Sequence, residues 1–281
     1  MFNKLMIIAA LLLLLPALLN AETETKTELD SYFRFMPSRK TDGPSGKVEI
    51  MEADSKYSYE FKAFEQLPVK LSLENKYIGI ENSTEVELPA HLAGLSTDIE
   101  TTLPFFNFNN TYIRFGVSPS FYSDDWDFPA SSFRIPSRAF LIYKPNTKWT
   151  FIAGVGVYPE FEYDVLPILG FIYKPNDKLS FNITPERPNI SYSFNDRVTL
   201  FAEGGTSLDE FEVAKDNLKN VVLQYRELHL GAGIKYKVNK FIQSSLSVGG
   251  MFNRYLEYKD SLGKVDIKNG VYTEFRLVIN I

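Results

Sequence analysis

VYTEFRLVINI, residues 271–281, alternates with period two. In an extended chain Val271, Thr273, Phe275, Leu277, Ile279 and Ile281 share one face, and Tyr272, Glu274, Arg276, Val278 and Asn280 share the other. One face suits an apolar medium; the other carries two charges. The pattern recurs upstream. Trp149, Phe151, Ala153, Val155 and Val157 alternate with Thr150, Ile152, Gly154 and Gly156, and Ile113, Phe115 and Val117 alternate with Tyr112, Arg114 and Gly116. Leu228, Leu230, Ala232, Ile234 and Tyr236 oppose Glu227, His229, Gly231, Gly233 and Lys235. Leu246, Val248 and Phe252 oppose Gln243, Ser245, Ser247, Gly249 and Asn253. These runs are about 10–16 residues long, against about five or six for a soluble strand and about 9–11 for a tilted membrane strand. The polar face is rich in Gly and Ser, as a water-filled barrel lumen allows.

The connections point the same way. IYKPNTKWTF (residues 142–151) and IYKPNDKLSF (residues 172–181) are one phrase repeated at the period of a hairpin. Pro145 and Pro175 set φ for a tight turn, and Asn146 and Asn176 suit the angles that follow. SYSFNDRVT and KYKVNKFIQ spell the same device more weakly. Short turns near 107–110, 144–147, 174–177, 194–196 and 238–240 alternate with longer polar connections at 123–130, 159–164, 205–220 and 257–268. Short turns on one side and long loops on the other are the outer-membrane pattern. Thirteen strands can be placed between residues 46 and 281, and Ser31–Met36 supplies a fourteenth. Miscounting one short segment between 177 and 204 would give twelve. Residues 85–94 have weak strand character and suit a loop or short helix. The expected fold is all-β: a transmembrane antiparallel up-and-down β-barrel of about 12–14 strands.

Composition narrows the function. The chain has 281 residues, 44% hydrophobic and 15% aromatic, with 23 Phe and 16 Tyr, a balance that favours strands. A formal net charge of −5 leaves no basic excess for phosphate, so no nucleic-acid partner is expected. There is no cysteine, and the two histidines, His91 and His229, are too few for a multi-histidine metal site. No metal and no cofactor is expected. Residues 1–21 read as a secretory signal, with Lys4, the apolar stretch Leu5–Leu19, and Leu19-Asn20-Ala21 as the cleavage site. Residues 22–30 then form a polar lead-in, and 31–281 the barrel.

The stretch Val165–Gly205 resembles a family of bacterial outer-membrane β-barrel proteins described as a domain of unknown function. The likeness rests on Leu166-Pro167, Gly170, Tyr173 with Pro175 and Asn176, Pro185 with Pro188, Ile190 with Tyr192, and Asn195-Asp196. It implies architecture and a Gram-negative outer-membrane location, and no reaction. The last strand also resembles the C-terminal signal read by barrel insertion machinery, with Ile281 where Phe or Trp is usual. That machinery and outer-membrane lipid are the partners implied.

Glu227, His229, Lys235, Gln243, Asn253, Glu274 and Arg276 are the lumen-facing candidates. Tyr143, Tyr173, Tyr192 and Tyr236 each precede a short turn and form an aromatic girdle at one rim. His229 could serve as a base in a lipid-modifying enzyme, but its neighbours on that face are Glu227 and Gly231, and no serine stands beside it. Asp124, Asp125 and Asp127 crowd one connection without the Gly and Glu spacing of a calcium loop. The expected function is a passive pore for small hydrophilic solutes. The alternatives are a structural or ligand-binding barrel, a lipid-modifying enzyme, and a soluble periplasmic β protein.

Overall fold

The computed structural model describes residues 25–64, 67–126, 128–159, 164–185, 187–215, 218–259 and 261–281. Its strands are β1 Lys26–Gly43, β2 Lys47–Ala63, β3 Leu67–Asn82, β4 His91–Pro104, β5 Thr111–Val117, β6 Ser120–Ser123, β7 Phe133–Arg134, β8 Ser137–Tyr143, β9 Trp149–Val157, β10 Val165–Tyr173, β11 Leu179–Ile183, β12 Asn189–Ser193, β13 Val198–Lys215, β14 Leu218–Lys237, β15 Ile242–Tyr258, β16 Lys264–Ile267 and β17 Gly270–Asn280. A single 3₁₀ turn, Ala130–Ser132, interrupts them among the described residues. Three pairs are interrupted staves: β5 continues as β6, β7 as β8, and β16 as β17. Fourteen staves result, and β1 pairs with both β2 and β17, so the sheet closes on itself. The up-and-down barrel is as expected, and β1 is the fourteenth strand.

Two expectations are corrected. The wall begins at Lys26, so much of the expected lead-in is strand: Glu28 pairs with both Asn280 and Ser58. The expected signal lies outside the described residues. Residues 205–220 and 257–268 are mostly tall hairpins rather than loops, and β13 and β14 run 18 and 20 residues. Residues 85–94 divide between an irregular connection and the start of β4, with no helix.

The reason for the tall hairpins is a reversal of polarity along the tall staves. Low on β2, Glu52, Asp54, Lys56 and Ser58 point inward while Met51, Ala53 and Tyr57 point outward; above them Val48 and Ile50 point inward and Lys47 and Glu49 outward. On β14, Leu228, Leu230 and Ile234 are exposed outside and Glu227 and His229 lie inside; above them Val221, Leu223 and Tyr225 are buried and Gln224 and Arg226 face out. On these two strands the period of two never breaks, but the apolar set changes face. The lower tier is built for an apolar surround, and the upper tier for water outside and oil within.

The upper tier has its own closure. β1, β2, β3, β4, β6, β13, β14, β15 and β16 form a ring of nine, because β6 meets β13 directly at Ser123 and Glu212. It is filled by a core that includes Met36, Ile50, Ile78, Leu92, Phe211, Leu223, Tyr225, Leu256 and Tyr258. Val86 and Leu88 of the 83–90 connection pack against that core, and the Tyr258 hydroxyl donates to the Glu87 carbonyl at 2.7 Å. Each fully buried side chain of this kind contributes roughly 1.5–3 kcal/mol. Bulges mark the tier boundary: the β1 register shifts between Met36 and Arg39, next to Pro37, and the β14–β15 register shifts opposite Asn253. Such bulges tighten the twist where fourteen staves give way to nine.

The turns at the other end share one device. Asn146, Asn176, Asn195 and Asn239 each accept two backbone N–H bonds, from the second and third residues that follow, at 2.8–3.0 Å. The asparagine therefore works through its side-chain carbonyl; none of the four has a positive φ. Asn176→Ala is expected to lower stability by about 1 kcal/mol in urea unfolding. Asp177→Ala in the same turn serves as the control, and an equal effect from both would count against the device.

Candidate functional site

Where the lumen meets the dry core, Arg34 stands at the centre of a buried ion network. It enters from β1 between Tyr32 and Met36, the inward residues on either side. Its Nε and Nη2 donate to Glu274 Oε2 at 3.0 and 2.8 Å, and Nη1 donates to Glu227 Oε1 at 3.0 Å and Glu52 Oε2 at 3.2 Å. The exposures are 5% for Arg34, 1% for Glu52 and Glu227, and 3% for Glu274. The Tyr225 hydroxyl donates to Glu227 Oε2 at 2.5 Å. His229 Nε2 lies 3.4 Å from Arg34 Nη2, and its Nδ1 lies 3.4 Å from Glu227 Oε1. Arg187 bridges Glu274 Oε1 and Glu203 Oε2, both at 3.0 Å. Two guanidinium groups thus hold four carboxylates, and the planar fork of Arg34 is what lets one cation meet three of them.

Tyr272 locks this ceiling in place. Its ring lies 5.2 Å from the Arg34 guanidinium and edge-on to His229 at 5.7 Å. It covers Gly231 and Gly249, where a Cβ would collide with it. The Gly231-x-Gly233 spacing thus includes a seat for an aromatic ring.

Below the ceiling, ion pairs line the wall. Lys76 Nζ reaches Asp209 Oδ2 at 2.5 Å, Lys56 pairs with Asp98 and Glu74, Arg138 with Glu100 and Asp98, and Arg276 with Asp30. Several of these groups keep contact with water: the Lys56 and Arg276 side chains are 32% and 21% exposed, whereas Met36, Leu223 and Tyr225 above them are fully buried.

The sequence candidates fall as follows. Glu227, His229 and Glu274 join the Arg34 network. Lys235 lies 4.9 Å from the Phe201 ring, Arg276 pairs with Asp30, and Gln243 stands partly exposed on the same face, paired with Val278 and Lys237. Asn253 does not join them: it is the bulge residue, with φ +48°, exposed, and the alternation changes phase there so that Arg254, Leu256 and Tyr258 turn inward. Tyr143, Tyr192 and Tyr236 are exposed at the short-turn end, and Tyr173 stacks on Trp149 at 4.1 Å. Pro145 and Pro175 sit in their turns beside Asn146 and Asn176. Asp124 accepts a bond from the Ala214 N–H at 2.9 Å, Asp125 from the Trp126 N–H at 2.6 Å, and Asp127 lies outside the described residues. Among the described residues no hydroxyl is hydrogen-bonded to His229. Sequence reasoning missed Arg34, although the alternation of Tyr32, Arg34 and Met36 against Phe33 and Phe35 carries its signal.

In fold the chain is similar to the COG4313 outer membrane channel from Pseudomonas putida F1, with a TM-score of 0.51 over 93% of this chain and 97% of that one, at 10% identity. Looser likenesses are to the translocator domain of autotransporter NalP from Neisseria meningitidis (TM-score 0.40, 12% identity, 99% of this chain and 95% of that one) and to the NanC porin (TM-score 0.44, 10% identity, 89% and 98%). No curated protein matches the sequence. Residues 127–275, more than half of the chain, match the family model Domain of unknown function (DUF6268), and the chain belongs to that family.

Proposed function

We propose that the protein is a β-barrel of the Gram-negative outer membrane whose lower tier passes small hydrophilic solutes. The observation that carries this is the double polarity of the fourteen-stave tier. Phe33, Phe115, Leu141, Phe151, Leu230, Ile234, Leu246 and Phe275 stand exposed outside it, while charged side chains in contact with water line it within. Such a surface suits lipid outside and water inside. The tyrosines at the short-turn end suit the headgroup level of the periplasmic rim. The fold likeness to the Pseudomonas putida outer membrane channel supports the same reading.

Purified protein is expected to give steady conductance steps in planar bilayers and to let liposomes swell in small sugars. Silent bilayers together with unswollen liposomes would reject the pore. Cell fractionation should recover the chain with the outer membrane, with a mobility shift between unboiled and boiled gel samples. Recovery in the soluble fraction would reject the address.

A second reading is favoured by the dry upper tier: a closed barrel that carries a structural or ligand-binding tower. Conductance separates the two. Catalysis at His229 has little support, since Arg34 and Glu227 flank its ring nitrogens and hold it in the ion network. His229→Ala is expected to leave lipid hydrolysis unchanged.

A further inference from the structure

One seam of the wall differs from the others. β13 is 18 residues long, yet β12 covers it only from Thr199 to Glu203. The Gly204 N–H still finds the Pro188 carbonyl at 2.9 Å. From Gly205 to Phe211 that edge has no strand partner among the described residues. The edge is taken up again at Glu212, by one parallel pairing with Ser123 of β6 in an otherwise antiparallel sheet.

The bonds around that pairing join β6 to the β13 edge. The Asp124 N–H donates to the Glu212 carbonyl at 3.2 Å, the Ala214 N–H to Asp124 Oδ2 at 2.9 Å, and Ser131 Oγ to Glu212 Oε1 at 2.5 Å. The Tyr122 ring meets Phe211 edge-on at 5.7 Å. Just below, Lys76 crosses to Asp209. The barrel axis, by contrast, is filled by the buried core of the upper tier. A solute moving along the axis would have to disperse that core, whereas one moving sideways needs only to part this seam.

We propose that solutes leave the lumen sideways, past the β13 edge Gly205–Phe211 and beneath the β6–β13 seam, with the Lys76–Asp209 pair as the latch. This rests on the pore reading and names the route. The lower edge carries the small residues Gly205, Thr206 and Ser207, and its backbone N–H and C=O groups stand in a row with no neighbouring strand among the described residues. Such a row exchanges hydrogen bonds with a passing polar molecule, so the class it suits is an uncharged, hydroxyl-rich solute.

The chain contains no cysteine, so Ser123→Cys with Glu212→Cys introduces a single disulfide between paired residues. Conductance in planar bilayers and liposome swelling in small sugars are measured on the oxidised and the reduced protein. Folding is checked by the gel mobility shift, and the bond by mass. The oxidised protein is expected to lose conductance and swelling, and reductant to restore both. A control disulfide inside the tower, Ile50→Cys with Ile80→Cys, should change neither. Equal conductance of the oxidised and reduced seam variant overturns the sideways route, and so does sensitivity confined to the Ile50–Ile80 bond. Silence of the wild-type protein and of every reduced variant overturns the pore reading itself, and the route with it.

Discussion

Arg34→Ala is expected to destabilise the barrel by about 3–5 kcal/mol, the cost of removing one partner of a buried ion network and leaving the rest uncompensated. Glu52, Glu227 and Glu274 are all buried, and Arg34 touches each of them. Without it Glu274 keeps Arg187 and Glu227 keeps the Tyr225 hydroxyl, but Glu52 has no other hydrogen-bond partner among the described residues. Arg34→Lys should recover only part of the loss, because an ammonium cannot reach three carboxylates from a planar fork. Neutralising the acids in the same chain, with Glu52→Gln, Glu227→Gln and Glu274→Gln added to Arg34→Met, should restore most of it, since what is costly is the unpaired charge. The measurement is urea unfolding of the protein refolded into lipid vesicles. If Arg34→Ala unfolded at the wild-type midpoint, the ceiling would not be held by this network.

The barrel was legible in the sequence because a sheet writes its two faces with period two, and β9, β14 and β17 keep that period over long runs. The short turns were legible as well, although their chemistry was not. Asn146 and Asn176 were expected to relieve backbone angles, and instead they accept backbone N–H bonds. The tower was missed for a physical reason. Period alone does not say which face is inside. Once the apolar set changes sides, as it does between Leu228 and Tyr225, the outer half of a strand looks like a break in the pattern, and charged residues such as Asp209, Glu210 and Glu212 then suggest a loop. The Arg34 network was half legible. Glu227, His229 and Glu274 were found by facing, but their convergence on Arg34 joins residues some 190 to 240 positions apart, and no local pattern records it.

The polarity reversal has a direct test. Leu230 lies outward on the lower tier, 56% exposed, and Val222 lies outward on the upper tier of the same strand. If the lower tier sits in lipid and the tower in water, Leu230→Arg should cost about 2–4 kcal/mol in the lipid-refolded protein, whereas Val222→Arg should cost about 0–1 kcal/mol. The tower site has a further reason to accept the change, because Val222 is paired with Glu212 and Glu210 stands two residues away on the same face. A new cation there meets carboxylates, while one at Leu230 meets only acyl chains, with Ala202, Leu228, Val248 and Phe252 around it. In detergent micelles the difference should shrink, since a micelle lets an arginine reach water more easily. Equal costs at the two positions would mean that one medium surrounds both tiers. The fourteen-stave band would then have no claim to the membrane, whatever its exposed leucines suggest.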